Sequence, residues 1–341
     1  MNKTQLMHLL YRDAPRKFNG RVEYLFFVVA LAIMIITPSL IFVPTAKSDE
    51  TIVGPSIVVD INGQGNYPSI QEAINRADPG STIYIKKGEY REIIDINKEI
   101  TLIGEDKNNT IINSFSEQNG YAIRLGAENA KIRNLSIKNR GTGIYTSAVQ
   151  IAASNTMIMD CNIYDTPIGI AVWTPNNIVD NCKFRGCSDE GIALLGAIYS
   201  ECNNNKISNC VFQENCDGIE LQYASRNTIT NCELYDNTHD GISAIASNNN
   251  ENTISVCRIH NNRVHGIYLS SSSNNKIIDC YISNNSNGNV VMNKYSENNE
   301  IKFNSDLNNE KLTKNIILDK KYNLLLKRLS LLINIKSQFS F

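Results

Sequence analysis

A glycine followed by a short apolar stretch recurs along the second half of the chain, as in Gly169-Ile170-Ala171 and Gly218-Ile219-Glu220. A period of 20 to 50 residues of this kind is the sequence signature of a repeat architecture. The sequence therefore predicts a solenoid. The seven glycines are Gly143, Gly169, Gly191, Gly218, Gly241, Gly266 and Gly288, spaced 26, 22, 27, 23, 25 and 22 residues apart.

A second column of cysteines lies between the glycines. Side chains alternate faces along a strand, so in Cys232-Glu233-Leu234 the first and third residues share one face. The joints are rich in Asn, Asp and Ser, which suit tight turns, and a repeat of this length leaves no room for a helix. We therefore expect an all-β parallel β-helix in which like residues stack. The column is Cys161, Cys182, Cys210, Cys232, Cys257 and Cys280.

The cysteine column is predicted to face the core. Free thiols packing as small apolar groups are the plainer interpretation, and disulfides between rungs are the alternative. The chain has 9 cysteines, so they cannot all pair within it. Cys187, Cys202 and Cys216 lie outside the column and are better placed for local chemistry.

The N-terminus reads as a targeting segment. Residues 1–22 are basic, and residues 23–44 contain a run of about 20 uncharged residues, enough to span a bilayer. The basic flank would stay inside, which places the rest of the chain outside the cytoplasm. The segment is either an uncleaved anchor or a signal cut near Ala46-Lys47-Ser48. Residues 45–56 form a predicted linker.

The two ends of the solenoid are predicted to be covered. Ser69-Ile70-Gln71-Glu72 is a capping box that opens a short helix, which we expect to plug the N-terminal end. Residues 57–120 would form this cap and the first rungs, and residues 121–309 the regular repeats. Residues 310–341 break the pattern and read as a C-terminal cap, with a surface-binding amphipathic helix as the alternative.

The charge balance argues against a nucleic-acid partner. The formal net charge is −1 and the basic residues are scattered through the repeats. No basic field of the kind that attracts a phosphate backbone is therefore expected.

Candidate catalytic residues stand immediately before the glycines. Glu190, Asp217, Asp240 and His265 would lie on consecutive rungs about 5 Å apart. Close carboxylates repel, so one pKa rises and the pair can divide acid and base roles. Alternatively they could share a hard cation such as Ca²⁺, or Asp-Gly could be simple turn chemistry. The same column would include Thr142, Ile168 and Asn287.

The strand that follows each glycine offers outward positions that suit a sugar. Aromatic faces beside polar groups match the apolar face and polar rim of a sugar ring, although aromatic residues also favour sheets for their own sake. His239 and His260 add two bases near the acidic column, and a loop over 196–205 could wall the site. The candidate binding residues are Tyr145, Trp173, Gln222 and Tyr268, together with Glu220 as a further catalytic candidate.

The Gly-Ile-x-Leu and Asn-Cys-x-Ile columns over residues 57–309 resemble the pectin-lyase-like superfamily, particularly its NosD-like repeat proteins. The resemblance implies that the β-helix is right-handed. Residues 59–74 and 100–105 also look like the start of pectin methylesterases. The catalytic motifs of that family are not kept, because Ser147-Ala148-Val149 replaces Gln-Ala-Val and Tyr164-Asp165-Thr166 replaces Gln-Asp-Thr. Asp189 falls near the second aspartate of that family but lacks its aromatic neighbours.

NosD is associated with copper delivery, which makes this role a minor alternative. Met157, Met159 and Cys161 are the closest group of soft ligands, and they are expected to share one strand face. If that face is the cysteine face, core packing explains them instead.

These observations lead to two main functional hypotheses. The first is an extracytoplasmic β-helix that binds a polysaccharide or cell-surface glycan, and in its stronger form cleaves it as a lyase or glycoside hydrolase rather than as a methylesterase. The second is a non-enzymatic envelope protein whose solenoid is a rigid spacer or adhesion surface. Ca²⁺ is the one cofactor that the sequence suggests, and the N-terminal segment implies a membrane partner.

Overall fold

The computed structural model describes residues 56–116, 119–197, 202–302 and 316–319. The predicted targeting segment, the linker up to residue 55 and most of the predicted C-terminal cap lie outside these residues. Among the described residues, no helix is long and apolar enough to cross a membrane.

Three parallel sheets run along the described residues, as the repeats predict. Each turn of the chain adds one strand to each sheet, so residues one repeat apart are hydrogen-bonded neighbours. The first sheet consists of Ser56–Val59, Thr82–Ile85, Thr101–Gly104, Lys131–Arg133, Met157–Met159, Ile178–Asp180, Lys206–Ser208, Thr228–Thr230, Thr253–Ser255, Lys276–Ile278 and Glu300–Lys302. The second sheet consists of Gly88–Tyr90, Thr110–Ser114, Ser136–Asn139, Asn162–Tyr164, Lys183–Arg185, Val211–Gln213, Glu233–Tyr235, Arg258–His260 and Tyr281–Ser283. The third sheet consists of Ile94–Ile96, Tyr121–Leu125, Ser147–Ile151, Ile168–Val172, Glu190–Leu195, Asp217–Gln222, Ile242–Ile245, Ile267–Leu269, Val290–Asn293 and Ile316–Asp319.

The short helix predicted at the N-terminal end spans Ile70–Arg76. The Ser69 hydroxyl accepts a hydrogen bond from the Glu72 backbone N–H, and Glu92 accepts from the N–H groups of Ile70 and Gln71. A carboxylate at a helix start is favoured because the first N–H groups have no partner within the helix. Ile70, Ala73 and Ile74 are buried against the first rungs.

The cysteine column faces the core, as predicted. In each copy the thiol donates to the carbonyl two residues earlier, for example from Cys210 Sγ to the Ser208 oxygen at 3.0 Å. All 9 cysteines are free, and eight of them are buried. The six column members lie in the same core cluster as the isoleucines of all three sheets.

The glycine column departs from prediction at both ends. Gly143 lies in a turn with φ +118°, and Ala148 takes the glycine position of that rung because Ser147 pairs with Ile168. At the other end, Ile267 pairs with Val290, so the neighbour of Gly266 is Asn289. Thr142 and Asn287 therefore do not belong to the predicted column.

The residue before each cysteine adopts a left-handed conformation. Asn181, Asn209 and Asn231 have φ of 51°, 56° and 51°, which Asn tolerates because its side chain can bond locally. Val256 has φ 56° at the equivalent position and is 55% exposed. A β-branched residue is an outlier there, and it also interrupts the side-chain ladder in which Asn231 Nδ2 donates to Asn209 Oδ1 at 2.7 Å.

We expect Val256→Asn to raise the free energy of unfolding by about 1 kcal/mol, because it removes the left-handed strain of a branched residue. Denaturant titration of the wild type and the variant checks this value. Val211→Asn, in an extended strand, is the control and should not stabilise. Equal or lower stability of Val256→Asn would contradict the strain argument.

The burial of the thiols leads to a second prediction, which concerns their reactivity. Without reductant, the denatured chain should show 9 reactive thiols, and the folded chain at most one, Cys216, which is only half-buried and whose pKa burial raises to about 11. A dithiobis-nitrobenzoate titration checks both states. Fewer than nine thiols after denaturation would reveal a disulfide between rungs.

Candidate functional site

The outer face of the third sheet carries the predicted acidic column. Glu190 pairs in register with Asp217, and the pairing of Ile219 with Ile242 carries the column on to Asp240. The glycine after each acid explains why the acid turns outward. A Cβ at Gly191 would lie 2.7 Å from Phe212 Cδ1 in the core, so there is no room for a side chain at this position. The side chain of the preceding residue, Glu190, points away from the core.

These outward side chains are nevertheless buried. Glu190 is 6% exposed, Asp217 7% and Asp240 0%. A second outward column lies three residues further along the same strands and consists of Ala193, Glu220 and Ser243. Glu220 is also buried, at 7% exposed. Four acidic side chains from neighbouring rungs therefore share one largely dry surface, which we call the acidic face (Glu190, Asp217, Glu220, Asp240).

Two histidine side chains contact the aspartates of the acidic face. His239 Nδ1 lies 2.8 Å from Asp217 Oδ1 and 3.6 Å from Asp240 Oδ2. His265 Nδ1 lies 2.9 Å from Asp240 Oδ1, which also accepts the His265 backbone N–H at 2.9 Å. Among the described residues, the ion pairs of the acidic face are with histidines and not with lysine or arginine.

Burial dominates the electrostatics of the acidic face. Desolvation, followed by repulsion from Glu220, raises the pKa of Glu190 to about 10. Desolvation raises the pKa of Glu220 to about 7, although a hydrogen bond from Gln222 opposes it. It also raises the pKa of Asp217, against the hydrogen bond from His239. The bond to Asp217 raises the pKa of His239 to about 9. Near neutral pH Glu190 is thus protonated and Glu220 is partly protonated, while His239 carries a positive charge.

An apolar patch adjoins the acidic face on the preceding rungs. Ile168, Ala171, Ala193 and Leu195 are buried together on this outer side, and Trp173 packs against them. The Tyr145 ring meets Trp173 edge to face, with ring centroids 5.7 Å apart and planes at 64°. Tyr145 is 43% exposed. An aromatic pair with an accessible edge therefore lies beside the acids.

Several predicted site residues are placed differently from expectation. Tyr145 lies in the turn before its strand and not on the strand, yet it still reaches Trp173. Tyr268 is 5% exposed and stacks on His265, with centroids 5.1 Å apart, so it offers little surface to a ligand. Gln222 is half-buried and bonds the Glu220 carboxylate. His260 lies on the second sheet beside Glu233 and does not join the acidic face. Of the predicted loop over 196–205, residues 198–201 lie outside the described part.

The proposed soft-metal trio does not share a face. Met157 and Met159 are half-buried and flank the inward Ile158, whereas Cys161 is fully buried in the core. The expectation was wrong because Asp160, with φ 54°, breaks the alternation between Met159 and Cys161.

Sequence reasoning placed His239 near the acidic column but missed its position between two aspartates, and it missed the apolar patch. His239 stands one residue before the acidic column, and only the turn geometry shows that its ring bridges two aspartates. Asp217, His239 and Asp240 each offer one ligand atom within 4.8 Å of the other two, so these three residues could hold a metal ion.

An open groove of about 730 Å³ lies elsewhere, against the second sheet. Lys107, Lys183 and Arg185 line it together with Asp165 and Glu214. Asp165 is the one acid kept from the Gln-Asp-Thr motif of pectin methylesterases, while Ser147, at the first glutamine, is buried. The groove therefore contains none of the acidic-face residues.

The described turns and the repeat sequence together define a right-handed parallel β-helix protein. Residues 100–223 and 147–306 match the family described as "Right handed beta helix region". The chain belongs to this family, and its fold is that of the pectin-lyase-like superfamily.

Curated relatives are similar over part of the chain. A putative pectinesterase/pectinesterase inhibitor of Arabidopsis thaliana is 44% identical over 73 residues, covering 19% of this chain and 13% of the relative. A putative pectinesterase of the same plant is 29% identical over 165 residues, covering 45% and 47%. The chain thus spans less than half the length of these relatives.

Solved structures share the fold at low identity. The A-module of a mannuronan C-5 epimerase of Azotobacter vinelandii has a TM-score of 0.50 at 15% identity, covering 68% of this chain and 89% of its own. The enzymatically active domain of a tailspike protein of bacteriophage CBA120 has a TM-score of 0.52 at 11% identity, covering 73% and 43%.

The raised pKa of Glu220 leads to a testable prediction about how stability depends on pH. A carboxyl group whose folded pKa is raised holds its proton more tightly when folded, so it contributes stability below about pH 4.5 that is lost as the pH rises to about 7. The shift corresponds to roughly 3 kcal/mol. Glu190, whose pKa burial raises to about 10, adds a loss of its own over the same range. Thermal and urea unfolding from pH 4.5 to 8 should therefore show a total loss in the wild type that exceeds the loss in Glu220→Gln by up to roughly 3 kcal/mol. The exposed Glu297→Gln is the control and should follow the wild type, whereas parallel curves for Glu220→Gln would contradict the buried-acid argument.

Proposed function

We propose that this chain binds a polysaccharide along the outer face of the third sheet and cleaves it by general acid–base catalysis, outside the cytoplasm. The observation that carries the proposal is the acidic face, where Glu190 and Glu220 are buried carboxyl groups beside an accessible aromatic pair. Cleavage of a glycosidic bond, by hydrolysis or by elimination, needs a group that gives or takes a proton near neutral pH.

Glu220 has the properties of that group. Its pKa of about 7 lets it exist in both protonation states at neutral pH, which is where proton transfer is most effective. Glu190, on the preceding rung, keeps its proton and can donate a hydrogen bond to a sugar oxygen. Gln222 holds the Glu220 carboxylate in place.

Trp173 and Tyr145 supply the binding surface. Their edge-to-face contact holds both rings beside the apolar patch, and the exposed part of Tyr145 provides an approach from solvent. Aromatic rings of this kind suit the apolar face of a sugar. The names of the relatives and of the epimerase refer to polysaccharides, which supports the choice of ligand class.

A second candidate function, a non-enzymatic surface protein, is favoured by one observation. The four acids are at most 7% exposed, so a polymer must displace neighbouring groups to reach them. In that case the face would serve recognition or rigidity and no bond would be broken.

The full chain, tested on a panel of neutral and uronate-containing polysaccharides, separates these functions. We expect release of reducing ends, and unsaturated ends that absorb in the ultraviolet would identify elimination in place of hydrolysis. Glu220→Gln should lower kcat about 10²–10⁴-fold with little change in binding. Trp173→Ala should weaken binding roughly tenfold, whereas Tyr295→Ala, an exposed ring outside the site, should not. Binding without release would reduce the protein to a recognition module, and neither binding nor release would overturn the proposal.

A further inference from the structure

The acidic face contains a second arrangement that the proposed acid–base chemistry does not use. Asp217 and Asp240 come from adjacent rungs, and His239 lies between them. The two carboxylates are 7% and 0% exposed, and the His239 side chain is 44% exposed. Two buried carboxylates so close together are costly unless a cation compensates them.

We propose that Asp217, His239 and Asp240 form a binding site for a divalent first-row transition metal such as Zn²⁺. Each of the three residues offers one ligand atom within 4.8 Å of the other two. His239 Nδ1 approaches Asp217 Oδ1 and Asp240 Oδ2, which we take as the ligand atoms. In a tetrahedral zinc site with bonds of about 2.0–2.2 Å, neighbouring ligand atoms are roughly 3.3 Å apart. The present separations of 2.8 and 3.6 Å from His239 Nδ1 bracket that value.

Asp240 provides independent support. Its Oδ2 is buried, points toward His239 Nδ1 and accepts no hydrogen bond from a described residue. Its other oxygen, Oδ1, accepts both the backbone N–H and the ring Nδ1 of His265 at 2.9 Å. Such outer contacts fix the orientation of a metal-binding carboxylate and leave the free oxygen aimed at the metal. An orphaned, oriented and fully buried carboxylate oxygen is rare in a folded protein.

The donor set selects the class of metal. One imidazole nitrogen with two carboxylate oxygens suits zinc and related ions, while Ca²⁺ takes six to eight oxygen ligands. The proposed site therefore differs in its nitrogen ligand from the Ca²⁺ site that the sequence suggests. Three protein ligands leave one coordination position open, which is the pattern of sites that bind water or substrate.

Metal binding at this site does not depend on glycan cleavage. Metal-free full-length chain, titrated with ZnCl₂, should bind one zinc per chain and gain thermal stability. Bound metal is counted by inductively coupled plasma mass spectrometry after desalting. His239→Gln and Asp240→Asn should each lower zinc affinity at least tenfold. Because His239 is partly exposed, its variant separates loss of the site from loss of the fold.

The matched control is His260→Gln. His260 also pairs with a carboxylate, Glu233 at 3.4 Å, but it lies on the second sheet and pairs with no second acid of the described chain, so this variant should bind zinc as the wild type does. The absorption spectrum of the cobalt-substituted chain tests for binding by cysteine, because thiolate ligands would add a charge-transfer band that the proposed site lacks. Substoichiometric zinc in the wild type, undiminished binding in His239→Gln, or a thiolate band would each overturn the proposal.

Discussion

In-register stacking of side chains holds this fold together. The clearest case is the ladder of buried asparagines at one turn, Asn177, Asn205, Asn227, Asn252 and Asn275. From Asn205 onward, each side-chain oxygen accepts the backbone N–H and the side-chain Nδ2 of the preceding Asn, at 2.8–3.2 Å. A turn buried inside a solenoid would otherwise leave backbone donors without partners, and each such donor costs about 1–3 kcal/mol. The repeating Asn therefore fixes the register on which every other column depends.

The same register creates the electrostatics of the acidic face. Stacking that aligns Asn with Asn also aligns Glu190 with Asp217, and no choice of rotamer can move neighbouring rungs further apart than the backbone spacing of about 4.8 Å. These acids are buried, so both the loss of solvation and the repulsion between neighbouring carboxylates raise the pKa values of Glu190 and Asp217. A rigid scaffold here holds several carboxyl groups with raised pKa values, and this is the observation on which the proposed function rests.

The sequence predicted the regular rungs well because their periodicity is carried by the core. Ile, Cys and Asn occupy fixed positions relative to the backbone hydrogen bonds, so their spacing reveals the strands. It failed at Gly143 and Gly288, where a glycine matches the spacing but another residue, Ala148 or Asn289, occupies the crowded position. The burial of Glu220 and Tyr268 was not predictable either, because alternation shows only that they face outward and not whether that side is dry.

The acidic face divides into two chemical parts. Glu220 pairs in register with Ala193 of the apolar patch, and Glu190 lies on the strand that carries Ala193 and Leu195. Asp217, on the same strand as Glu220, and Asp240, on the next rung, each contact a histidine. Carboxyl groups beside an aromatic surface suit contact with a sugar, while carboxylate oxygens with an imidazole suit a cation. Because the rungs are rigidly stacked, a ligand on one part would lie within one or two rungs of the other, and each would alter the electrostatic environment of its neighbour.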